Sequence, residues 1–484
     1  MKLHEYAGHD ALGLAELVSN GDVQASELVD LAYEAIALLN GDINAVIEET
    51  REEAARTLAA GVPKGPFEGV PFLVKDVGMH YAGIPSEMGS RLLRGLVYPE
   101  DSELAARFRR TGVIAVGRSN IPEFGASVST EPVSHGPTRN PWNLAHSPGG
   151  SSGGAAAAVA AGMVPIAHAN DGGGSIRAPA AACGLFGLKP TRGRHPWGPD
   201  QDEGIFGLGA ELVVSRSVRD SAAMLDAVHG SDVGARLMLP PPEISFLEAS
   251  RRAPRRLKIA FSADAPAGAP ATDPACRQAV LDTARLCEEL GHDVFEAAPD
   301  VTHDETCAIF RDIGAPFLAA GAQAAAEHLG RSIGPDTVEA TSRAMIRRGM
   351  EMSAIDFTHI NGLVNSVSRR LGRFFTRCDL WLSPVMSMSA LPLGHLNADE
   401  EGLDAVQWIR KVMDACPFCA MFNGSGQPAM SIPIQWSSEG QPIGVQFAAP
   451  FGDEVTLYSL AGQLEQARPW IGRVPPHSVL RRCA

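Results

Sequence analysis

Pro148-Gly149-Gly150-Ser151-Ser152-Gly153-Gly154 and Asp171-Gly172-Gly173-Gly174-Ser175-Ile176-Arg177 are the two segments that decide the fold of this chain. Each is a glycine-rich loop that carries serine, and an alanine-rich, apolar segment at 155–167 separates them. Glycine adopts left-handed backbone conformations and lets a chain approach other groups closely, so such loops suit tight geometry. A flexible linker would not enclose a run of strong helix formers. The stretch 148–177 therefore predicts two specialised loops held apart by a packed helix.

The composition of the 484 residues is that of a globular protein, with 45% hydrophobic and 20% charged residues. A formal net charge of −15 argues against a general nucleic-acid binder, which needs a basic face. The N-terminus lacks the apolar core of a signal peptide, and no apolar run has the length of a membrane span. The eight dispersed cysteines are typical of a reduced compartment. We therefore expect a cytoplasmic protein that binds neither nucleic acid nor a membrane.

Hydrophobic periodicity alternates between helices and short strands along the chain. We predict helices at 12–18, 26–39, 48–60, 102–110, 217–228, 274–290 and 454–466, and a mostly helical stretch at 304–377. We predict strands at 70–74, 113–116, 257–261, 380–384, 429–434 and 443–447. This alternation indicates an α/β fold in which a central sheet is covered by helices on both faces.

Lys75, Ser151 and Ser175 are the residue types that nucleophilic catalysis requires. Lys75 ends an apolar strand, where burial would lower the pKa of its ammonium and make the neutral amine a base. A serine hydroxyl reacts once a neighbouring base takes its proton, and the N–H groups of a glycine loop can stabilise an oxyanion. Taken singly, each has a plainer interpretation: Lys75 as an edge residue that reaches solvent, Ser175 as the cap of a helix at 176–182.

Together, the motifs around these residues resemble the amidase signature family. In chain order they are Gly69-Val70-Pro71-Phe72-Leu73-Val74-Lys75-Asp76, Arg139-Asn140-Pro141-Trp142-Asn143, the two glycine loops, Phe422-Asn423-Gly424-Ser425-Gly426-Gln427-Pro428-Ala429 and Pro442-Ile443-Gly444-Val445-Gln446. The resemblance covers nearly the whole chain, although 230–410 carries little of it. It implies one amidase domain over 1–484 built on a central mixed β-sheet. Its parts would be a helical segment at about 1–60, a signature core at about 65–230, a variable, mostly helical pocket region at about 231–410, and C-terminal strands and a helix at about 411–484.

The resemblance also implies the roles of the site residues. Ser175 would be the nucleophile, and Ser151, entered through a non-proline cis peptide bond, would link it to the base Lys75. The N–H groups of Gly172, Gly173, Gly174 and Ser175 would form an oxyanion hole. Ser152, Asp171 and Arg177 would support the site, the last two through a local salt bridge. No cofactor and no metal are expected. The chain departs from the family at Asn170, where a small hydroxylated residue is common.

The sequence is less specific about the substrate. The run 171–198 resembles the branch of the family that contains the cyclic-dimer hydrolase of nylon oligomers, which implies small apolar or cyclic amides as substrates. Candidates for the acyl pocket are Phe124, Ser127, Val128, Cys307, Phe310 and Phe317. The resemblance is also compatible with a homodimer. Cys416-Pro417-Phe418-Cys419 has the spacing of a redox motif, but we interpret its cysteines as two half-buried apolar thiols.

Three other functions stay open at this point. The amidase signature also occurs in the glutamine-hydrolysing subunit of transfer-RNA-dependent amidotransferases. The two glycine loops could bind phosphate or a nucleotide, although neither ends in Gly-Lys-Ser/Thr. A Ser-His-Asp hydrolase could use His146, His168 or His195, although no Gly-x-Ser-x-Gly motif is present.

Overall fold

The computed structural model describes residues 1–389 and 391–483. The strands of this part of the chain form one mixed β-sheet. Its strands in chain order are β1 (Val46–Glu49), β2 (Pro71–Lys75), β3 (Ile114–Ser119), β4 (Ile166–Asp171), β5 (Phe186–Lys189), β6 (Ala210–Ser215), β7 (Lys258–Phe261), β8 (Asp293–Glu296), β9 (Leu380–Pro384), β10 (Ala429–Trp436) and β11 (Pro442–Ala448). In space they follow the order β1-β3-β2-β4-β6-β5-β10-β11-β9-β7-β8. Strand β2 is parallel to both β3 and β4, and β7 is parallel to both β8 and β9, whereas the other pairs are antiparallel. The expected central mixed sheet is confirmed.

Helices cover this sheet. They are α1 (Leu3–Gly8), α2 (Ala11–Ser19), α3 (Ala25–Ile43), α4 (Arg51–Ala60), α5 (Glu103–Arg110), α6 (Gly153–Ala161), α7 (Arg177–Cys183), α8 (Val218–Val228), α9 (Phe246–Arg251), α10 (Pro274–Glu289), α11 (His303–Leu329), α12 (Ala340–Glu351), α13 (Ala354–Phe374), α14 (Ala405–Ala415), α15 (Ala420–Ser425), α16 (Glu454–Ala467) and α17 (Val479–Arg482). Strands β2, β3, β6, β9 and β11 are buried at every position. Because successive strand side chains point to opposite faces, both faces of the sheet must be covered, as the sequence predicted.

The prediction of a helix over 48–60 is wrong at its start. Residues Val46–Glu49 form strand β1, and the helix begins at Arg51. Strand β1 pairs antiparallel with β3, and an oxygen of the Glu48 carboxylate lies 2.6 Å from Nη2 of Arg118 on that neighbour. The run of charged residues resembles an exposed helix locally, but backbone pairing with β3 holds it extended, and the ion pair lies across that pairing. The N-terminal segment therefore contains a strand among its helices.

The predicted helices at 12–18 and 102–110 are confirmed as α2 and α5. The Asp10 carboxylate accepts a hydrogen bond from the N–H of Gly13 and caps α2, and the Ser102 hydroxyl accepts one from Ala105 and caps α5. The mostly helical stretch at 304–377 corresponds to α11, α12 and α13. Among residues 1–389 and 391–483, no helix is both long and apolar enough to cross a membrane.

Candidate active site

Lys75 lies at the carboxyl end of β2, directly beside the end of β4. The two strands are parallel, so their carboxyl ends meet at one edge of the sheet, where α/β proteins commonly place their sites. The second glycine loop starts from the end of β4, immediately after Asp171. The sheet topology thus brings Lys75 to the second loop, although about a hundred residues separate them in sequence.

The first glycine loop leads into helix α6. At Gly149 the backbone is left-handed, with φ of 81°, and a Cβ atom there would lie 2.9 Å from the Cα of Pro179, so glycine is required. The peptide bond between Gly150 and Ser151 is cis. Helix α6 follows at Gly153 and is buried at all nine positions. The expected packed helix between the two loops is confirmed.

Lys75 is in direct contact with the first loop. Its Nζ lies 2.8 Å from Oγ of Ser151 and 2.7 Å from Oγ of Ser152. Ser175 joins this group through its backbone, because its carbonyl oxygen accepts a hydrogen bond from the N–H of Ser152 at 3.3 Å. Within the described residues the Ser175 hydroxyl forms no hydrogen bond, so the expected contact between Ser151 and Ser175 hydroxyls is not made in this structure.

The environment of Lys75 favours its neutral form. The residue is only 1% exposed, and burial lowers the pKa of its ammonium to about 7, against the opposing effect of the Glu211 and Asp171 carboxylates. A substantial fraction of the amine is therefore unprotonated near neutral pH. Lys75 can act as a proton acceptor toward Ser151.

The second loop folds around its own aspartate. The N–H of Gly174 donates to Oδ1 of Asp171 at 2.7 Å, and the N–H of Ile176 donates to Oδ2 at 3.2 Å. Of the four predicted oxyanion donors, Gly174 is therefore the one whose N–H already has an acceptor in this structure. In the described part of the chain, the N–H groups of Gly172, Gly173 and Ser175 have no acceptor and remain available to a substrate oxygen.

Asp171 and Arg177 form a buried, bidentate ion pair. Nε and Nη2 of Arg177 lie 2.9 and 2.8 Å from the two carboxylate oxygens, and both residues are fully buried. Burial alone would raise the pKa of Asp171, but the charge and hydrogen bonds of Arg177, with a hydrogen bond from Asn423, hold it well below its usual range. Nη1 of Arg177 also donates to Gln446. This network ties the loop to α15 and β11, as expected for a supporting salt bridge.

Cys416 and Cys419 pack beneath the same loop. A Cβ atom on Gly174 would lie 3.0 Å from Cβ of Cys419 and 3.1 Å from Sγ of Cys416. Both thiols are completely buried rather than half-buried as predicted. The hydrogen bond to Cys419, together with burial, raises the pKa of the Cys416 thiol. The pair acts as apolar packing under the loop.

Two apolar side chains cover the outer side of the loop. A Cβ atom on Gly173 would lie 2.5 Å from Cε2 of Phe310, and one on Gly172 would lie 2.9 Å from Cδ1 of Ile205. The Phe310 ring on α11 was a predicted pocket residue, whereas Ile205 was missed. Ile205 has a left-handed backbone, with φ of 51°, which is rare for a β-branched residue and could not be read from the sequence.

The other predicted pocket residues differ in their proximity to the serines. Phe317 packs edge-on against Phe206, the neighbour of Ile205, with ring centroids 5.8 Å apart.

A Cβ atom on Gly150 would meet the backbone of Ser127, Val128 and Ser129 within 2.9 Å, so that segment supports the first loop. Phe124 is half-buried beside Gly125, where a Cβ atom would lie 3.3 Å from Oγ of Ser151. Cys307 is buried, with Sγ 3.6 Å from Nε2 of His303.

The arrangement argues against a Ser-His-Asp hydrolase and against phosphate binding by the first loop. His168 accepts a hydrogen bond from the Lys75 backbone and faces Glu211, and His195 accepts one from the Glu211 backbone. No imidazole among the described residues touches the hydroxyl of Ser151 or Ser175, so a Ser-His-Asp arrangement is not formed. The first loop also makes a poor phosphate cradle, because the N–H groups of Ser152 and Gly154 donate to backbone carbonyls.

Comparisons with known proteins agree with this site. The sequence model of the family described as Amidase matches residues 27–458. The chain belongs to the Amidase family. This amidase is 36% identical over 476 residues to 6-aminohexanoate-cyclic-dimer hydrolase of Paenarthrobacter ureafaciens, and the alignment spans 96% of each chain.

Solved structures show the same fold. The amidase superposes on 6-aminohexanoate cyclic dimer hydrolase complexed with substrate with a TM-score of 0.91, at 35% identity, covering 97% of this chain and 99% of that one. A bacterial aryl acylamidase of the amidase signature family matches with a TM-score of 0.84, at 26% identity over 96% of each chain. The protein is therefore a hydrolase of carbon–nitrogen amide bonds with the amidase signature fold, and this conclusion is favoured over the amidotransferase alternative.

Proposed function

We propose that this amidase hydrolyses linear or cyclic carboxylic amides of small, largely apolar substrates through an acyl-enzyme on Ser175. The observation that carries the proposal is the 2.8 Å contact between Nζ of Lys75 and Oγ of Ser151, beside a loop with uncommitted N–H groups. A buried amine, a relay hydroxyl and free backbone donors are the parts that acyl transfer requires.

In the acylation step, neutral Lys75 takes the proton of Ser151 while Ser151 takes the proton of Ser175. Oγ of Ser175 then bonds to the carbonyl carbon of the amide, and the carbonyl oxygen becomes an oxyanion. The N–H groups of Gly172, Gly173 and Ser175 are the donors available to stabilise this charge. These donors stabilise the oxyanion strongly because the ion pair of Asp171 and Arg177 holds the loop in place, so the donors do not have to reorganise.

The return of the proton completes the cycle. The proton on Lys75 passes back through Ser151 to the amide nitrogen, the carbon–nitrogen bond breaks, and the amine leaves. Water then attacks the ester carbonyl on Ser175, using the same relay as base, and releases the carboxylic acid. For a cyclic amide the amine and acid are ends of one molecule, so the product is an opened chain.

The apolar substrate preference rests on the side chains around the loop. Phe310 and Ile205 lie against Gly173 and Gly172, and the rings of Phe206 and Phe317 pack nearby. Such walls favour hydrocarbon segments over charged groups, since the walls offer no partner for a buried charge. The related hydrolase acts on a cyclic dimer of 6-aminohexanoate, which makes this compound the first substrate to test.

The substrate class is tested with a panel of amides given to the purified protein alone. We expect turnover of the 6-aminohexanoate cyclic dimer, its linear dimer or aryl amides, with kcat/KM about 100-fold above that for glutamine, the scale on which apolar pockets discriminate. A matched panel of esters reports whether acylation depends on the leaving group. Efficient glutamine hydrolysis with no turnover of apolar amides would instead support the amidotransferase function.

The pH dependence tests Lys75 as the base. Because the neutral amine accepts the proton, kcat/KM should rise with pH through a midpoint near 7 and level off above it. At pH 6 it should be about tenfold below the plateau, since one pH unit below a pKa leaves about a tenth of the amine neutral. The measurement is kcat/KM for one amide from pH 5.5 to 9.5.

Lys189 provides a matched control for this profile. It is also 1% exposed, burial lowers its pKa to about 7, and its Nζ donates to the carbonyl of Pro190 rather than to a serine. The Lys189→Met variant should keep the midpoint of the wild-type enzyme. A flat profile in the wild type, with chemistry rate-limiting, would contradict the role of Lys75. Loss of the midpoint in Lys189→Met would mean that Lys189, and not Lys75, is the group that titrates near pH 7.

A further inference from the structure

The amine of Lys75 has three side-chain oxygens as close hydrogen-bond partners, whereas the backbone carbonyl of Asn170 lies farther away, at 3.4 Å. Besides the hydroxyls of Ser151 and Ser152, Nζ contacts Oδ1 of Asn170. A neutral amine carries two hydrogens and one lone pair, so it donates to two partners and accepts from the third. The partner that faces the lone pair is the group that Lys75 can deprotonate. The direction of these three hydrogen bonds therefore decides which group the lone pair of Lys75 faces.

Two of the three partners can only accept from Lys75. Nδ2 of Asn170 donates to the carbonyl of Val77 at 3.2 Å, which turns Oδ1, an acceptor without a hydrogen, toward the amine. The hydroxyl of Ser152 donates its hydrogen to the backbone carbonyl of Asn170 at 3.2 Å. The oxygen of Ser152 therefore meets Lys75 as an acceptor. Asn170 makes both of these contacts possible, one through its side chain and one through its backbone.

We infer that Asn170 is a positioning residue that takes one N–H of neutral Lys75 and, with Ser152, turns the lone pair of the amine toward Ser151. The inference rests on the proposed function, since it concerns the base of that reaction. Ser151 is then the donor to Lys75, and its own oxygen is free to accept the proton of Ser175. When the proton arrives, the ammonium donates to the same three oxygens. The contacts of Lys75 survive both protonation states, so its own side chain does not have to move.

An uncharged acceptor suits this position better than a carboxylate. The titratable groups around Lys75 are Glu211 on β6, His168 and Asp171 on β4, and Asp76, whose carboxylate is paired with Arg118 on β3. The Glu211 and Asp171 carboxylates already oppose the effect of burial on Lys75. A further negative charge in direct contact would hold the ammonium in its protonated form. The amide oxygen of Asn170 supplies direction without that charge.

The test is a pair of substitutions at this position. Asn170→Asp keeps the shape but adds a carboxylate in contact with Lys75, so the midpoint of kcat/KM should move up by about one to two pH units. Activity at pH 7 should fall about 5- to 50-fold and recover toward the wild-type plateau near pH 10. Asn170→Leu removes the acceptor, so kcat should fall about 10- to 100-fold with KM within about threefold of wild type.

Asn40→Asp is the control. Asn40 is likewise partly buried, but its amide bridges backbone groups of Ala45 and Val46 far from Lys75, so this variant should keep the wild-type pH midpoint. Melting temperatures identify the variants that fold. If Asn170→Asp does not fold, Asn170→Leu is the variant that tests the inference. An equal loss for Asn170→Asp at every pH, or wild-type kcat in Asn170→Leu, would overturn the inference. Failure of the proposed function itself is recognised separately, because wild-type protein would then hydrolyse no amide.

Discussion

The Ser175→Ala variant is expected to lose amide turnover by about 10⁵-fold or more and to lose covalent labelling by a fluorophosphonate completely. Removing the nucleophile of a serine hydrolase leaves only the catalysis that binding and the oxyanion donors provide. Ser175 is 7% exposed and stands next to the N–H groups that remain free in its loop. The measurement is kcat/KM for the best amide of the panel, together with intact-mass analysis after labelling.

Ser221→Ala is the control for this variant. Ser221 is buried on α8, and its hydroxyl lies 2.9 Å from the hydroxyl of Tyr458, away from the glycine loops. Its removal should leave labelling and turnover near wild type. Labelling that persists in Ser175→Ala would contradict the assignment, and peptide mapping of the adduct would then identify the nucleophile, with Ser151 and Ser152 as the nearest alternatives.

The Lys75→Met variant is expected to lose about 10³-fold or more in kcat/KM, within the range that a general base contributes. Methionine keeps the length and apolar stem of the side chain but has no basic nitrogen, so the proton of Ser151 has no acceptor. Any residual activity should show no inflection near pH 7, because the group that titrates there is gone. The rate of fluorophosphonate labelling should slow in parallel, since the same base activates Ser175.

The Lys189→Met variant is again the control, because it separates loss of the catalytic base from loss of stability. Both lysines are equally buried, so both substitutions replace a desolvated amine by an apolar side chain. Only Lys75 touches the serines, and Lys189→Met should therefore retain activity within a few-fold of wild type. Comparable losses in both variants, at unchanged melting temperatures, would mean that Lys75 is not the specific base.

Much of the candidate site could be predicted because its residues stand in motifs that resemble the amidase signature family, whereas Lys75 and Ser175 taken singly had plainer interpretations. A lysine that ends an apolar strand and serines embedded in glycine loops are unusual in themselves, and Lys75 and Ser151 do meet at 2.8 Å. The alanine run had no other reasonable state than a packed helix, and α6 is that helix. The start of the helix at 48–60 was wrong because pairing with another strand, β3, decided the conformation of residues 46–49.

The sequence by itself determined that this protein is an amidase, because the motifs of the family are short segments that can be recognised in the sequence. Only the tertiary structure decided which groups are left to act. Gly174 looked equivalent to its neighbours until the Asp171 carboxylate was seen to occupy its N–H. Asn170 looked like a missing hydroxyl, yet its amide oxygen faces Lys75. The first of these contacts depends on how one loop turns back on itself, and the second joins residues 95 positions apart, so neither composition nor spacing encodes them directly.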